Sequence, residues 1–95
     1  MILVVATVRV HPDKAEDYEA ACREVMPALQ AANSGILFYE TGKCREAAHT
    51  YRVIEAYADQ AAMDRHVESA ELKAAFARLQ PCIAGITITL NDGFG

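Results

Sequence analysis

Tyr51-Arg52-Val53-Ile54-Glu55-Ala56-Tyr57, continued without a linker by Ala58-Asp59-Gln60-Ala61-Ala62-Met63-Asp64-Arg65-His66-Val67, changes its hydrophobic period within a few residues. The first half is rich in β-branched and aromatic residues and reads as a strand. Past Asp59, Ala62, Met63 and His66 share one face of a helix, and Asp64 and Arg65 fall on the other. Asp59 is placed to cap this helix. His66 is therefore an imidazole on an apolar helix face, where an unsatisfied polar group is costly.

Outward from this stretch the same signals recur. Ile2-Leu3-Val4-Val5-Ala6-Thr7-Val8-Arg9-Val10 is apolar at nearly every position, as in a strand central to its sheet. His11-Pro12 stops it, and Asp13 with Glu16 resembles a capping box. Ala15, Tyr18, Cys22, Val25, Met26 and Leu29 then form a helical stripe, with a kink or break expected near Met26 because Pro27 lacks a donor. Asn33-Ser34-Gly35 ends the helix, Gly35 being free to take positive φ. Ile36 to Thr41 reads as a strand, joined by a polar hairpin connection to Tyr51–Tyr57. Ser69 can cap a last helix carrying Leu72, Ala75, Phe76 and Leu79, with Pro81 beyond it. Gly85-Ile86-Thr87-Ile88-Thr89-Leu90 alternates as a half-buried strand.

The order β-α-β-β-α(α)-β is the α+β, ferredoxin-like pattern: one antiparallel sheet with helices on one face. A single domain over residues 1–95 is expected at this length. Strand parity sends Val4, Ala6, Val8, Ile86, Ile88 and Leu90 toward the helices. The opposite face mixes Leu3 and Val5 with threonines, and a sheet-on-sheet homodimer would cover both kinds.

The composition, 53% hydrophobic and 23% charged with a formal net charge of −4, is that of a globular chain. Its nine basic residues are scattered, so neither nucleic acid nor an anionic membrane is an expected partner. Ile2–Val8 is too short for a signal peptide or a membrane span. Three cysteines without C-x-x-C spacing suit a reduced, cytoplasmic protein. No metal-ligand spacing, phosphate loop, nucleophile elbow or haem-attachment motif occurs, and no cofactor is expected. His11, beside a turn, and His49, in the hairpin connection, are read as solvated.

If the Arg52 side of its strand is the open one, Glu55 points under the helices toward His66. A carboxylate beside an imidazole raises its pKa and fixes its tautomer, so the pair can act as a general base. The same two residues serve equally as a structural hydrogen bond tying helix to sheet. Tyr39, Tyr51 and Tyr57 can line one cavity and stack on an aromatic ligand, or simply pack. Met63, Phe76 and Leu79 are its expected apolar wall.

The run from Tyr51 through Phe76 resembles the antibiotic biosynthesis monooxygenase (ABM) family: a strand ending Glu-x-aromatic, a helix with an inward His, then Ser-x-x-Leu. Val8-Arg9-Val10-His11-Pro12-Asp13-Lys14 and the Asn33-Ser34-Gly35 turn are similar to it too. The resemblance implies a dimer of ferredoxin-like subunits with a pocket in each. It also implies an activity drawn from cofactor-independent oxygenation of quinols and phenols, haem degradation, or isomerisation of a phosphorylated quorum-sensing sugar derivative. Phe76 stands where the haem-degrading branch has its ligating histidine, which departs from that branch. The expected function is thus oxygenation of a small quinol or phenolic metabolite, with His66 and Glu55 as the base pair and Tyr57 beside them. Substrate would be held by Tyr39, Tyr51, Met63 and Phe76. Isomerisation of a phosphorylated carbonyl metabolite, or ligand binding without catalysis, are the alternatives.

Overall fold

The computed structural model describes residues 1–95. Its elements are β1 (Ile2–Val10), α1 (Ala15–Gln30), β2 (Ile36–Lys43), β3 (Thr50–Tyr57), α2 (Gln60–Val67), α3 (Ala70–Leu79) and β4 (Ile83–Asp92). The four strands form one antiparallel sheet in the order β2-β3-β1-β4. This is the ferredoxin-like α+β fold. β1, the most continuously apolar strand, lies inside the sheet as its composition requires, between β3 and β4.

Parity holds through the register. Val4, Ala6, Val8 and Val10 of β1 are buried under the helices, as are Tyr51, Glu55 and Tyr57 of β3. Arg52 and Ile54 face the other way and are exposed. In β2 the register shifts between Ile36 and Phe38, so Leu37 is an extra residue and Tyr39 arrives opposite Glu55 on the buried face.

Two caps form where the sequence places them. Asp59 accepts a hydrogen bond from the Ala62 amide at 2.9 Å, and Ser69 Oγ accepts one from the Leu72 amide at 3.1 Å. Asp13 caps nothing. A 3-10 turn, Pro12–Lys14, intervenes, and the Lys14 amide bonds to the His11 carbonyl at 2.8 Å in place of a side-chain cap. Pro27 does not break α1, which continues to Gln30. The proline sits in the last turn, and its own carbonyl still accepts from the Ala31 amide at 3.2 Å. Gly35 does not take positive φ. Its need is steric, because a Cβ there would collide with the Ala62 Cβ of α2. The residue that does enter the left-handed region is His49, at φ 54°, on the exposed connection into β3.

The core is divided. One cluster joins Val8, Val10, Tyr18, Cys22, Tyr51 and Cys82; a second joins Val4, Tyr57 and Ala62; a third joins Leu29, Tyr39 and Ala75. The helices pack over β2, β3 and β1 and leave β4 uncovered. Ile86, Ile88 and Leu90 do point to the helix side, but Ile88 and Leu90 are 60% and 62% exposed. The space they look onto is the cavity that separates the clusters.

Candidate active site

Between the helices and the sheet lies a cavity of about 660 Å³, walled largely by apolar side chains from every strand and helix. The sequence puts it there by composition. Ala75 is the buried residue that α3 turns inward, and its small side chain leaves room above Val4, Ala6 and Val8. Tyr39, Glu55, Tyr57 and His66 form the buried polar part of the wall, with Thr41 one pleat along β2.

His66, 3% exposed, is held at the C-terminal end of α2 with its edge against two phenols. The Tyr39 ring lies 5.1 Å away in a T-shaped arrangement, and the Tyr57 ring lies 5.7 Å away, tilted by 40°. Its Nδ1 is buried and has no hydrogen-bond partner. Burial holds the imidazole below its ordinary pKa, so the ring is neutral at physiological pH.

Glu55 shares the cavity with His66 but is not its partner. The Tyr57 hydroxyl, two residues along the same strand face, donates to Glu55 Oε1. This corrects the expectation that the carboxylate raises the pKa of His66: with Glu55 engaged by a phenol, desolvation alone acts on the imidazole and lowers it. Desolvation pushes the Glu55 carboxyl above the ordinary carboxylate range, against the opposing pull of the Tyr57 bond. Burial, and then the bond to Glu55, push the Tyr57 phenol far up. Tyr39 is raised as well, first by burial and then by the Glu55 charge.

Met63, Phe76 and Leu79 line the same cavity, Phe76 being half-exposed at its rim. Tyr51 does not reach it. One register step beyond Val53, Tyr51 packs on Tyr18 with ring centroids 4.8 Å apart and donates to Glu19 Oε2 at 2.5 Å. It lines a separate hollow of about 350 Å³ with Glu19, Arg23, Glu40 and Lys43. Burial and the Glu19 bond push its phenol up to about 12. His11 and His49 are exposed. No three His, Cys, Asp or Glu side chains cluster as metal ligands would, and no helix is long and apolar enough to cross a membrane.

Residues 1–78 match the family model for antibiotic biosynthesis monooxygenase. The chain belongs to the ABM family. A candidate antibiotic biosynthesis monooxygenase from Caulobacter crescentus CB15, known by crystal structure, is 32% identical to this ABM chain; the match covers 99% of this chain and 90% of that one, with a TM-score of 0.93. Another candidate of the same kind, from Nitrosomonas europaea, is 17% identical over the whole of both chains with a TM-score of 0.89, and a protein from Methanosarcina mazei Go1 is 23% identical over 95% of this chain and 89% of that one with a TM-score of 0.86. These two show the ABM fold alone. No curated protein matches the chain.

The residues that sequence reasoning missed are those of neighbouring elements. Tyr18, Cys22 and Met26 of α1 and Thr41 of β2 also line the cavity. Thr41 was within reach of parity, since it follows Tyr39 by two residues on one face.

Proposed function

We propose that this ABM chain is a monooxygenase that oxygenates a small quinol or phenolic metabolite without a cofactor, with His66 as the proton acceptor. The observation that carries the reading is a neutral, unpartnered buried imidazole facing two tyrosine rings in an apolar cavity of about 660 Å³. A phenol or enol in this space loses its proton to His66 and becomes an anion in largely apolar surroundings. Such an anion is electron-rich enough to pass an electron to dioxygen, and the two radicals then combine at carbon. For an anthrone the balance closes without an external reductant. The methylene carbon gains one oxygen atom as a carbonyl, and its two hydrogens leave with the other oxygen atom as water. Tyr39 supplies a face for the ring, and the Glu55–Tyr57 pair provides a proton-bearing oxygen beside the departing one.

The lining favours this substrate class over a phosphorylated carbonyl compound. Lys73, exposed on α3, is the one lysine or arginine along the cavity wall, and the buried carboxyl of Glu55 would oppose a phosphate. The test is oxygen uptake with anthrone under ¹⁸O₂. One oxygen molecule consumed per anthraquinone formed, with a single labelled atom retained, is the expected result. Isomerisation without oxygen uptake would support the phosphorylated-carbonyl reading. Tight binding of quinols with no product would make the protein a ligand carrier.

A further inference from the structure

Two buried side-chain polar atoms lack a hydrogen-bond partner, His66 Nδ1 and Thr41 Oγ1, and both belong to residues that line the 660 Å³ cavity. Buried hydroxyls are nearly always satisfied, because leaving one unpaired forfeits its hydration without return. Valine has the same shape and higher β-propensity, and would fill this strand position without that penalty. Thr50, a buried threonine, illustrates the contrast with half-buried Thr41: Thr50 Oγ1 donates to the Ala48 carbonyl at 3.0 Å.

The placement of Thr41 is informative. Tyr39 lies opposite Glu55 and Thr41 opposite Val53, so Thr41 is one pleat farther from His66 along β2. That is a step of roughly 7 Å. Thr41 also lines the smaller hollow beside Tyr51, so its side chain stands in the wall where the two spaces meet. Its hydroxyl has no hydrogen bond to give up when it turns toward a ligand. Of the other buried polar side chains in the wall, Glu55 and Tyr57 satisfy each other, and Tyr39 carries a further hydroxyl.

We infer that Thr41 is a specificity-determining residue, hydrogen-bonding a second polar group at the far end of a ring whose near hydroxyl meets His66. The inference rests on the phenolic reading of the cavity and narrows it to ligands with oxygens at both ends of an apolar ring system. Ligands with a single hydroxyl leave Thr41 unpaired.

The experiment is an anaerobic titration of wild type, Thr41→Val and Thr41→Ser with 1,4-dihydroxynaphthalene and with 1-naphthol, together with urea unfolding of each ligand-free protein. Wild type should prefer the diol. Thr41→Val should bind the diol roughly three- to tenfold more weakly, the worth of one hydrogen bond, with 1-naphthol unchanged. Thr41→Ser should restore the preference. Ligand-free Thr41→Val should be as stable as wild type or more so. Equal weakening of both ligands, or a less stable Thr41→Val, would give the hydroxyl a structural role and overturn the inference. So would a wild type indifferent to the second hydroxyl. If wild type binds neither compound, the phenolic reading falls and this inference falls with it; if it oxygenates the diol while Thr41→Val changes nothing, this inference alone is lost.

Discussion

Glu55 accepts from Tyr57 and not from His66, and burial is the cause that sets how the imidazole titrates. With burial as the acting cause, the folded-state pKa of His66 lies below its ordinary 6.5. If His66 is the base, the acidic limb of kcat/KM for oxygenation should have its midpoint below 6.5, and a midpoint above it would mean a carboxylate assists after all. His66→Ala should lower turnover by about 10²–10⁴-fold in the same assay while the far-ultraviolet circular dichroism is retained; unchanged turnover would remove His66 from the mechanism. Stability follows the same shifts. A histidine whose folded pKa is depressed gives the unfolded chain more protons below pH 6.5, so its contribution is present above that pH and is lost as pH falls. Glu55 is raised from 4.5, so it weakens the fold as pH climbs from 4.5 through its folded value. Glu55→Gln should therefore raise the urea midpoint at neutral pH, since the amide oxygen still accepts from Tyr57. A midpoint that falls would show that the charged carboxylate is what Tyr57 requires. Parity alone placed Glu55 and His66 in one space. It could not choose between their partners, because Tyr57 competes from the same strand face, where residues two apart stand about 7 Å from each other.

At the scale of the elements, close approach governs more than local conformational preference. Gly35 and Ala62 bring the turn before β2 against α2, and the Ala58 amide bonds to the Gly35 carbonyl at 2.8 Å across the same seam. Gly35→Ala should destabilise the protein by about 1–3 kcal/mol through overpacking. Adding Ala62→Gly should recover part of that loss despite the helix penalty of glycine, and a double-mutant cycle in urea measures the coupling. Purely additive losses would mean the contact is relieved elsewhere. The sequence could mark this glycine but not its reason, since positive φ is a local property and a Cβ collision is a tertiary one. Helix limits were legible where a side chain makes the cap, as at Asp59 and Ser69. They were misread at Asp13 and Pro27, where backbone bonds of the 3-10 turn and of the last helical turn replace the expected signals.

For the molecule as a whole, helices cover one face of the sheet and nothing in the chain covers the other. Along that uncovered face Phe38 and Ile54 are each about half exposed, Leu3 is at the margin of exposure, and the three lie on neighbouring strands. The same face carries Thr7, Arg52 and Thr89, so it suits a partner surface of equally mixed character, which a second copy supplies by symmetry. The homodimer proposed from the sequence is therefore best tested at Ile54, which pairs across the sheet with Val5 and Glu40 and points away from His66. In sedimentation equilibrium the wild type should have twice the chain mass of 10.4 kDa. Ile54→Lys should shift it toward the monomer by burying an unpaired ammonium in each copy of the interface. The cavity residues lie on the opposite face, so ligand binding per chain should survive in the variant if each subunit holds a complete site. A wild type that sediments as a monomer would leave the open face to another partner. Loss of ligand binding along with dimerisation would show instead that the cavity takes its shape only when the sheets are packed.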